Sequence, residues 1–264
     1  MPSTSSCAYS YTYCIEARFY PAIDYQFFKL RVIPQTNASQ RLLSHELHFT
    51  PACHWNSSID GQGNLVQYGG YSERHDCFRV VSSGVVECGI YRIPDPSPNP
   101  IYRYVSPLTA CSPAMMKWLK AQTLPQSPAE AALALMHSVN QMMTYVTGVT
   151  DNASNASQAF EQRRGVCQDY AHLMIALCRR HGLYARYANG LIPGEGATHA
   201  WVEVHDGEAW HAYDPTHDCA PCQGYIKLAH GRDVSDCPSN RGRLYGWTNE
   251  TLHVTVKVIK KQEN

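Results

Sequence analysis

The sequence predicts an α+β protein in which an antiparallel β-region comes first, followed by helices packed against an antiparallel β-sheet. Three observations predict it. Residues 9 to 93 alternate apolar and polar side chains at period two, residues 93 to 107 carry five prolines without periodicity, and the remainder runs first at period 3.6 and then again at two. Helices before strands in the second half point to α+β rather than an alternating parallel sheet.

In the first region YSYTYCIEARF, FFKLRVIP and LLSHELHFTP read as strands, and HDCFRVVSSGVVECGIYRI as one long or two short ones. GQGN and YGGY read as the turns between them. The proline run IPDPSPNPIYRYVSP marks the boundary, giving a β-domain over 1–93, a linker over 94–107 and a second domain over 108–264. Two helices then open with legible caps: Ser112 with Pro113 at the first helical position, and Ser127 with Glu130 as a capping box around Pro128. The second helix is expected to end near Gly148, a short helix over SQAFEQRR to stop at Gly165, and a fourth to run from about Val166 to His181, with Gly182 as its stop. Ala171, Met174, Ile175 and Cys178 share one face of that fourth helix. LYARYANGLI, THAWVEVHD, EAWHAYDP and LHVTVKVIK read as strands, the last returning to complete the sheet.

Composition narrows the function. The 264 residues are 44% hydrophobic and 17% charged with zero formal net charge, so no global field attracts nucleic acid or an anionic membrane. The N-terminal MPSTSSCAYS has neither a basic nor an apolar segment of a leader peptide, and a cytoplasmic location is expected. On that expectation the N-x-S/T matches at Asn37, Asn56, Asn152, Asn155 and Asn249 read as surface turn residues. Eleven cysteines at uneven spacing do not read as a disulfide framework; Cys14, Cys77 and Cys88 in strand-like runs read as small hydrophobes.

One cysteine stands apart. Cys167 opens the helix of RRGVCQDYAHLMIALCRRHG, where unpaired N–H groups and the positive helix end favour a thiolate and offer donors to a developing oxyanion. His199 heads the strand HAWVEV, with Trp201 and Glu203 on its face and Ala200, Val202 and Val204 on the other. Asp214 ends the next strand, and Asp206-Gly207 marks the tip of the hairpin between them. Counting back from that tip places His199 and Asp214 at the same end of neighbouring strands. A thiol, an imidazole to take its proton and a carboxylate to orient the imidazole form one convergent triad. Taken singly, each also reads blandly: a buried thiol, a strand-edge histidine and an Asp-Pro corner.

At these residues the chain resembles the transglutaminase-like cysteine protease superfamily, in particular bacterial and archaeal members with a bacterial transglutaminase N-terminal region. GVCQDYAHLMIALCRRHGLYARYANG, THAWVEV and WHAYDPTHD resemble its signature blocks in order, and FFKLRVIPQTNASQRLLSHELHFTP, FRVVSSGVVE and YIKLAHGRDVSDCPSNRGRLYG extend the likeness over most of residues 9 to 260. The resemblance implies a β-sandwich-like first domain, a papain-like catalytic core and a Cys167, His199, Asp214 triad. It also implies hydrolysis of a peptide, protein or small amide through a thioester, or passage of the acyl group to an amine, with no cofactor.

Around the three, Gln168 reads either as an oxyanion donor or as a first-turn hydrogen bonder, and Asp169 as a partner of the helix dipole. His172 lies about 140° around the helix from Cys167 and reads as a support residue. Trp201 reads as an aromatic wall beside His199 or as core. Downstream, Cys219-x-x-Cys222 with His217 and Cys237 offers soft ligands without a diagnostic spacing, so a structural zinc, a disulfide or reduced loop thiols all stay open. A zinc-dependent site there, and a non-catalytic interaction protein on the same fold, are the competing readings. Oligomeric state is not encoded in any of these patterns.

Overall fold

The computed structural model describes residues 6–150, 153–221 and 223–262. The N-terminal stretch forms seven strands: β1 (Cys7–Ile23), β2 (Tyr25–Leu30), β3 (Gln40–Thr50), β4 (Trp55–Ile59), β5 (Leu65–Tyr71), β6 (His75–Cys88) and β7 (Arg92–Pro94). The helical stretch contains α1 (Pro113–Lys120), α2 (Pro128–Met142), β8 (Thr144–Tyr145), α3 (Ala156–Gln162), β9 (Arg164–Gly165) and α4 (Cys167–Arg180). Seven strands follow: β10 (Ala185–Leu191), β11 (Gly194–Gly196), β12 (His199–His205), β13 (Ala209–Tyr213), β14 (Ile226–Gly231), β15 (Asn240–Tyr245) and β16 (Asn249–Lys260). The architecture is α+β, with helices on an antiparallel sheet preceded by a β-rich region, as the sequence predicts.

Alternation along β1 becomes alternation in burial, with Tyr9, Tyr11, Tyr13, Ile15, Ala17 and Phe19 all pointing inward. They pack with Phe28 and Leu30 of β2, Phe78 and Val80 of β6 and Val256 and Val258 of β16 in one core. That core joins a five-stranded sheet, β11-β16-β1-β6-β3, to a four-stranded one, β15-β2-β5-β4. Leu191, Ile226 and Leu228 from the site-bearing sheet enter the same core, tying the two halves of the molecule together.

The site-bearing sheet has the order β14-β10-β12-β13-β7 and is antiparallel throughout. On one face Ala200, Val202 and Val204 pack against Ala171, Met174, Ile175 and Cys178 of α4. The other face is buried as well, because every residue of β10 and β12 is inside. A carboxylate, Glu203, lies there with no exposure to water. It accepts hydrogen bonds from Tyr91 Oη at 2.6 Å and from Lys227 Nζ at 2.8 Å to each oxygen, and it is paired with Arg186. Burial opposes its charge, but Arg186 and Lys227 hold its carboxyl below the usual range. Gly190 sits opposite His199 in the ladder, and a Cβ there would meet Ile226 O at 2.0 Å and the Trp201 ring at 2.8 Å.

Several local expectations change. YGGY is not a turn: Gly69 and Gly70 lie inside β5, paired with Phe28 and Phe27, whose rings occupy the space above them. Ser112 caps α1 by accepting from Met115 N at 3.3 Å, but Ser127 makes no side-chain cap and the box with Glu130 does not form. α2 stops at Met142 rather than near Gly148, because the chain turns extended to pair β8 with β9. α3 is ended by Arg163 in the left-handed conformation, φ 57°, not by Gly165. The final strand does not complete the site-bearing sheet. β16 pairs with β1 from Tyr9↔Lys260 to Tyr20↔Asn249, since period-two alternation states which face is buried and not which strand is the neighbour. Asn56 and Asn249 are strand residues and Asn155 caps α3; Asn152 lies outside the described residues. Among the described residues no helix is long and apolar enough to cross a membrane.

Two stability measurements check this packing. Glu203→Ala strands Arg186 and Lys227 inside the protein and is expected to lower the free energy of unfolding in urea by about 3–5 kcal/mol. An unchanged midpoint would contradict the ion cluster. Gly190→Ala is expected to cost roughly 1–3 kcal/mol through overpacking, whereas Gly61→Ala, with open space around it, is expected to change stability by less than about 0.5 kcal/mol.

Candidate active site

The site forms where the start of α4 meets the head of β12. Cys167 is the first residue of α4, after Val166 as N-cap. Asp169, buried, accepts from Val166 N at 2.7 Å and from Thr150 Oγ1 at 2.7 Å. Its role extends past the helix dipole: it fastens the turn that delivers Cys167. Gly165 serves that turn for a reason of space, since a Cβ there would lie 2.4 Å from Asp169 Oδ2. Val146 N donates to Gly165 O at 2.9 Å, so the short β8–β9 pairing ties the same approach to the end of α2. The first N–H groups of α4, on Cys167 and Gln168, fall outside the i→i−4 ladder.

His199 is 7% exposed and Asp214 is fully buried. The β12–β13 hairpin has the register Val202↔Tyr213 to His205↔Trp210 with Gly207 at its tip, which brings the two side chains to one end of the sheet. His199 Nε2 lies 2.7 Å from Asp214 Oδ2, and His199 and Cys167 line both lobes of one cleft. Burial alone would lower the His199 pKa, but the hydrogen bond and charge of Asp214, with the nearby Cys167, outweigh it and raise it to about 9.

Asp214 is held from every side. Its Oδ2 accepts from Tyr225 Oη at 2.7 Å and lies 2.7 Å from His217 Nδ1 as well as from His199. Its Oδ1 accepts from the backbone N–H of Thr216 at 2.9 Å and of His217 at 3.2 Å. Burial penalises the charge, yet His199, Tyr225 and His217 together hold the carboxyl well below the usual range. Tyr225, just before β14, opens the segment YIKLAHGRDVSDCPSNRGRLYG but was not singled out as a site residue. The sequence offers His217 as one possible ligand beside Cys219 and Cys222; its ring instead lies against the carboxylate three residues earlier.

Trp201 is completely buried and stacked beside His199, with ring centroids 6.5 Å apart and planes 23° apart. Its Nε1–H donates to Tyr91 Oη at 3.1 Å, and Tyr91 donates to Glu203, so the buried ion cluster indirectly holds the wall behind the imidazole. His172 lies inside the helix–sheet core. Its Nε2 accepts from Val234 N at 3.3 Å, and burial lowers its pKa to about 4, so it is a neutral packing residue. Gln168 stays beside Cys167 on the cleft wall.

The cleft has two lobes that meet at Cys167, Ala197, Thr198 and His199. One, of about 410 Å³, is bounded by Tyr145, Pro193, Glu195, His217 and Val256. The other, of about 470 Å³, is bounded by Gln168, Tyr187, Asn189, Ser235, Arg241 and Val254. Val254 and Val256 belong to β16, so a strand of the N-terminal sheet supplies a wall of the site. The zinc set read from the sequence does not assemble among the described residues. His217 faces Asp214, Cys219 Sγ lies 3.8 Å from Tyr225 Oη, and Cys237 is buried in the helix–sheet core; Cys222 lies outside the described residues. The described cysteines are free thiols, with Cys88 and Cys178 buried and Cys14 and Cys77 partly so.

Residues 9–87 match the bacterial transglutaminase-like N-terminal region, and residues 118–215, which include Cys167, His199 and Asp214, match the transglutaminase-like superfamily core. Uncharacterized proteins of Mycobacterium bovis and Mycobacterium tuberculosis are 28% identical over 98% of this chain and 95% of theirs. A crystal structure from Cytophaga hutchinsonii, named as a candidate cysteine protease, superposes with a TM-score of 0.81 at 22% identity, over 98% of this chain and 92% of that one, and shares the fold. The chain belongs to the transglutaminase-like superfamily of thiol enzymes and their relatives.

Proposed function

We propose that the protein is a thiol-dependent hydrolase that cleaves a peptide or amide bond, with Cys167 as nucleophile, His199 as acid and base and Asp214 as the group that orients His199. The observation that carries this reading is the buried Asp214 carboxylate 2.7 Å from His199 Nε2, in a cleft both of whose lobes are lined by His199 and Cys167. A raised imidazole pKa suits it, because His199 must hold a proton until the leaving amine needs it. The two lobes flanking the sulfur leave room for chain on both sides of the scissile carbonyl.

The steps follow from the positions. His199 takes the thiol proton, and the sulfur attacks the carbonyl carbon. The oxygen that gains charge lies toward the N-terminus of α4, where the N–H groups of Cys167 and Gln168 and the Gln168 side chain stand. The tetrahedral adduct collapses as His199 gives its proton to the departing amine, leaving a thioester on Cys167. Water, deprotonated by His199, then releases the acid and restores the thiol. An amine in place of that water gives acyl transfer, and adding glycine methyl ester to the assay separates the two by product. Hydrolysis is preferred because water needs no second binding site.

The direct test is incubation with an activated ester such as p-nitrophenyl acetate followed by mass spectrometry. We expect a burst of nitrophenol and one acetyl group on Cys167, neither occurring in Cys167→Ala. Acetylation spread over surface lysines with no burst would overturn the proposal. His199→Ala is expected to lower turnover roughly 10²- to 10⁴-fold.

The pH profile carries a second expectation. Activity should decline above about pH 9, as His199 loses the proton it must deliver. In Asp214→Asn the anion that raises the imidazole pKa is gone, so this alkaline limb should move down toward neutrality. A limb that stays in place would show that Asp214 does not act on His199.

A further inference from the structure

The carboxylate that orients His199 has a second imidazole on the same oxygen. His217 Nδ1 and His199 Nε2 both stand 2.7 Å from Asp214 Oδ2, and the three ligand atoms lie within 4.8 Å of one another. Orienting one histidine needs one of these contacts, and nothing in hydrolysis uses the other. His217 is half-exposed and lines the cleft, whereas His199 and Asp214 are buried, so the group is closed behind and open toward solvent.

We infer that His199, Asp214 and His217 form a binding site for a borderline divalent cation such as zinc, and that occupancy shuts the enzyme off without the metal touching Cys167. Two imidazole nitrogens and one carboxylate oxygen are the donor types zinc takes, with a fourth position left for water from the cleft. Ligand bonds of about 2.0–2.2 Å in a tetrahedral set require Asp214 Oδ2 to draw back from the two nitrogens and the two rings to adjust with it. The cation displaces the protons shared between Asp214 and the two rings, and the buried carboxylate keeps a positive partner throughout. The site is empty.

Inhibition follows from valence at the His199 ring and rests on the catalytic role proposed above. A neutral imidazole that holds a metal at Nε2 carries its one proton at Nδ1. No lone pair remains on the His199 ring to accept the thiol proton. This differs from a metal bridging the sulfur and the histidine, for which Cys167 would itself be a ligand.

Isothermal titration with Zn²⁺ tests the site on the full chain, carried out in a Cys219→Ser, Cys222→Ser background so that the CxxC pair contributes nothing. We expect one equivalent to bind, binding to survive Cys167→Ala, and affinity to fall at least about tenfold in His217→Gln. Co²⁺ in the same proteins should give a visible ligand-field spectrum without a thiolate charge-transfer band. Asp214→Asn provides a second ligand variant, and circular dichroism confirms that each variant is folded. Loss of binding on Cys167→Ala, unchanged affinity in both ligand variants, or no stoichiometric binding would each overturn the site. Because the titration reads metal and not turnover, its failure is distinguishable from failure of the proposed hydrolysis.

Discussion

Asp214 is the constraint on which the site depends. A carboxylate without exposure to water is expensive to keep ionised unless its lone pairs are filled, and here three side chains and two backbone N–H groups fill them. Those partners fix much around it. His199 is held at the end of β12 with one nitrogen committed, Tyr225 is drawn from the loop before β14, and the backbone after Pro215 turns back over Oδ1. The anion in turn keeps a mostly buried imidazole protonated well above its ordinary range, against the direction in which burial pushes.

The rest of the molecule keeps that arrangement still. Behind His199 stand Trp201, then Tyr91, then Glu203 with its two buried cations, a continuous polar and aromatic wall on the face of the sheet away from α4. On the other face α4 is packed so completely that Cys178 and His172 become interior, while Cys167 at its tip reaches the cleft. The two cleft lobes are walled partly by β16, which is hydrogen-bonded into the N-terminal sheet along β1. The β-rich region therefore helps shape the cleft as well as preceding it, and the two halves meet at the place where a substrate would lie.

Much of this was legible in the residues, and the parts that were not share a cause. The helix phase put Cys167 at an end and Cys178 inside; the Asp206-Gly207 tip set the register that brings His199 and Asp214 together. Local patterns carry such information because caps, turns and periodicity act over a few residues. Tyr225 was not singled out because it reaches Asp214 from a loop with no periodicity, and His217 was grouped with Cys219 and Cys222 because a histidine near two cysteines has the same spelling whichever way it turns. The partner of β16 was hidden since alternation specifies a buried face and leaves the neighbouring strand open. YGGY read as a turn for want of knowing that phenylalanine rings from β2 would cover it.

The central claim is that His199, held by Asp214, activates Cys167 above the other thiols. Alkylation by iodoacetamide at neutral pH, followed thiol by thiol by peptide mass spectrometry in wild type and His199→Ala, measures it most directly. We expect Cys167 to label faster than the partly exposed Cys14 and Cys77 in wild type and to lose that preference in the variant. Equal labelling of the three in wild type, or a Cys167 rate indifferent to His199, would contradict the claim.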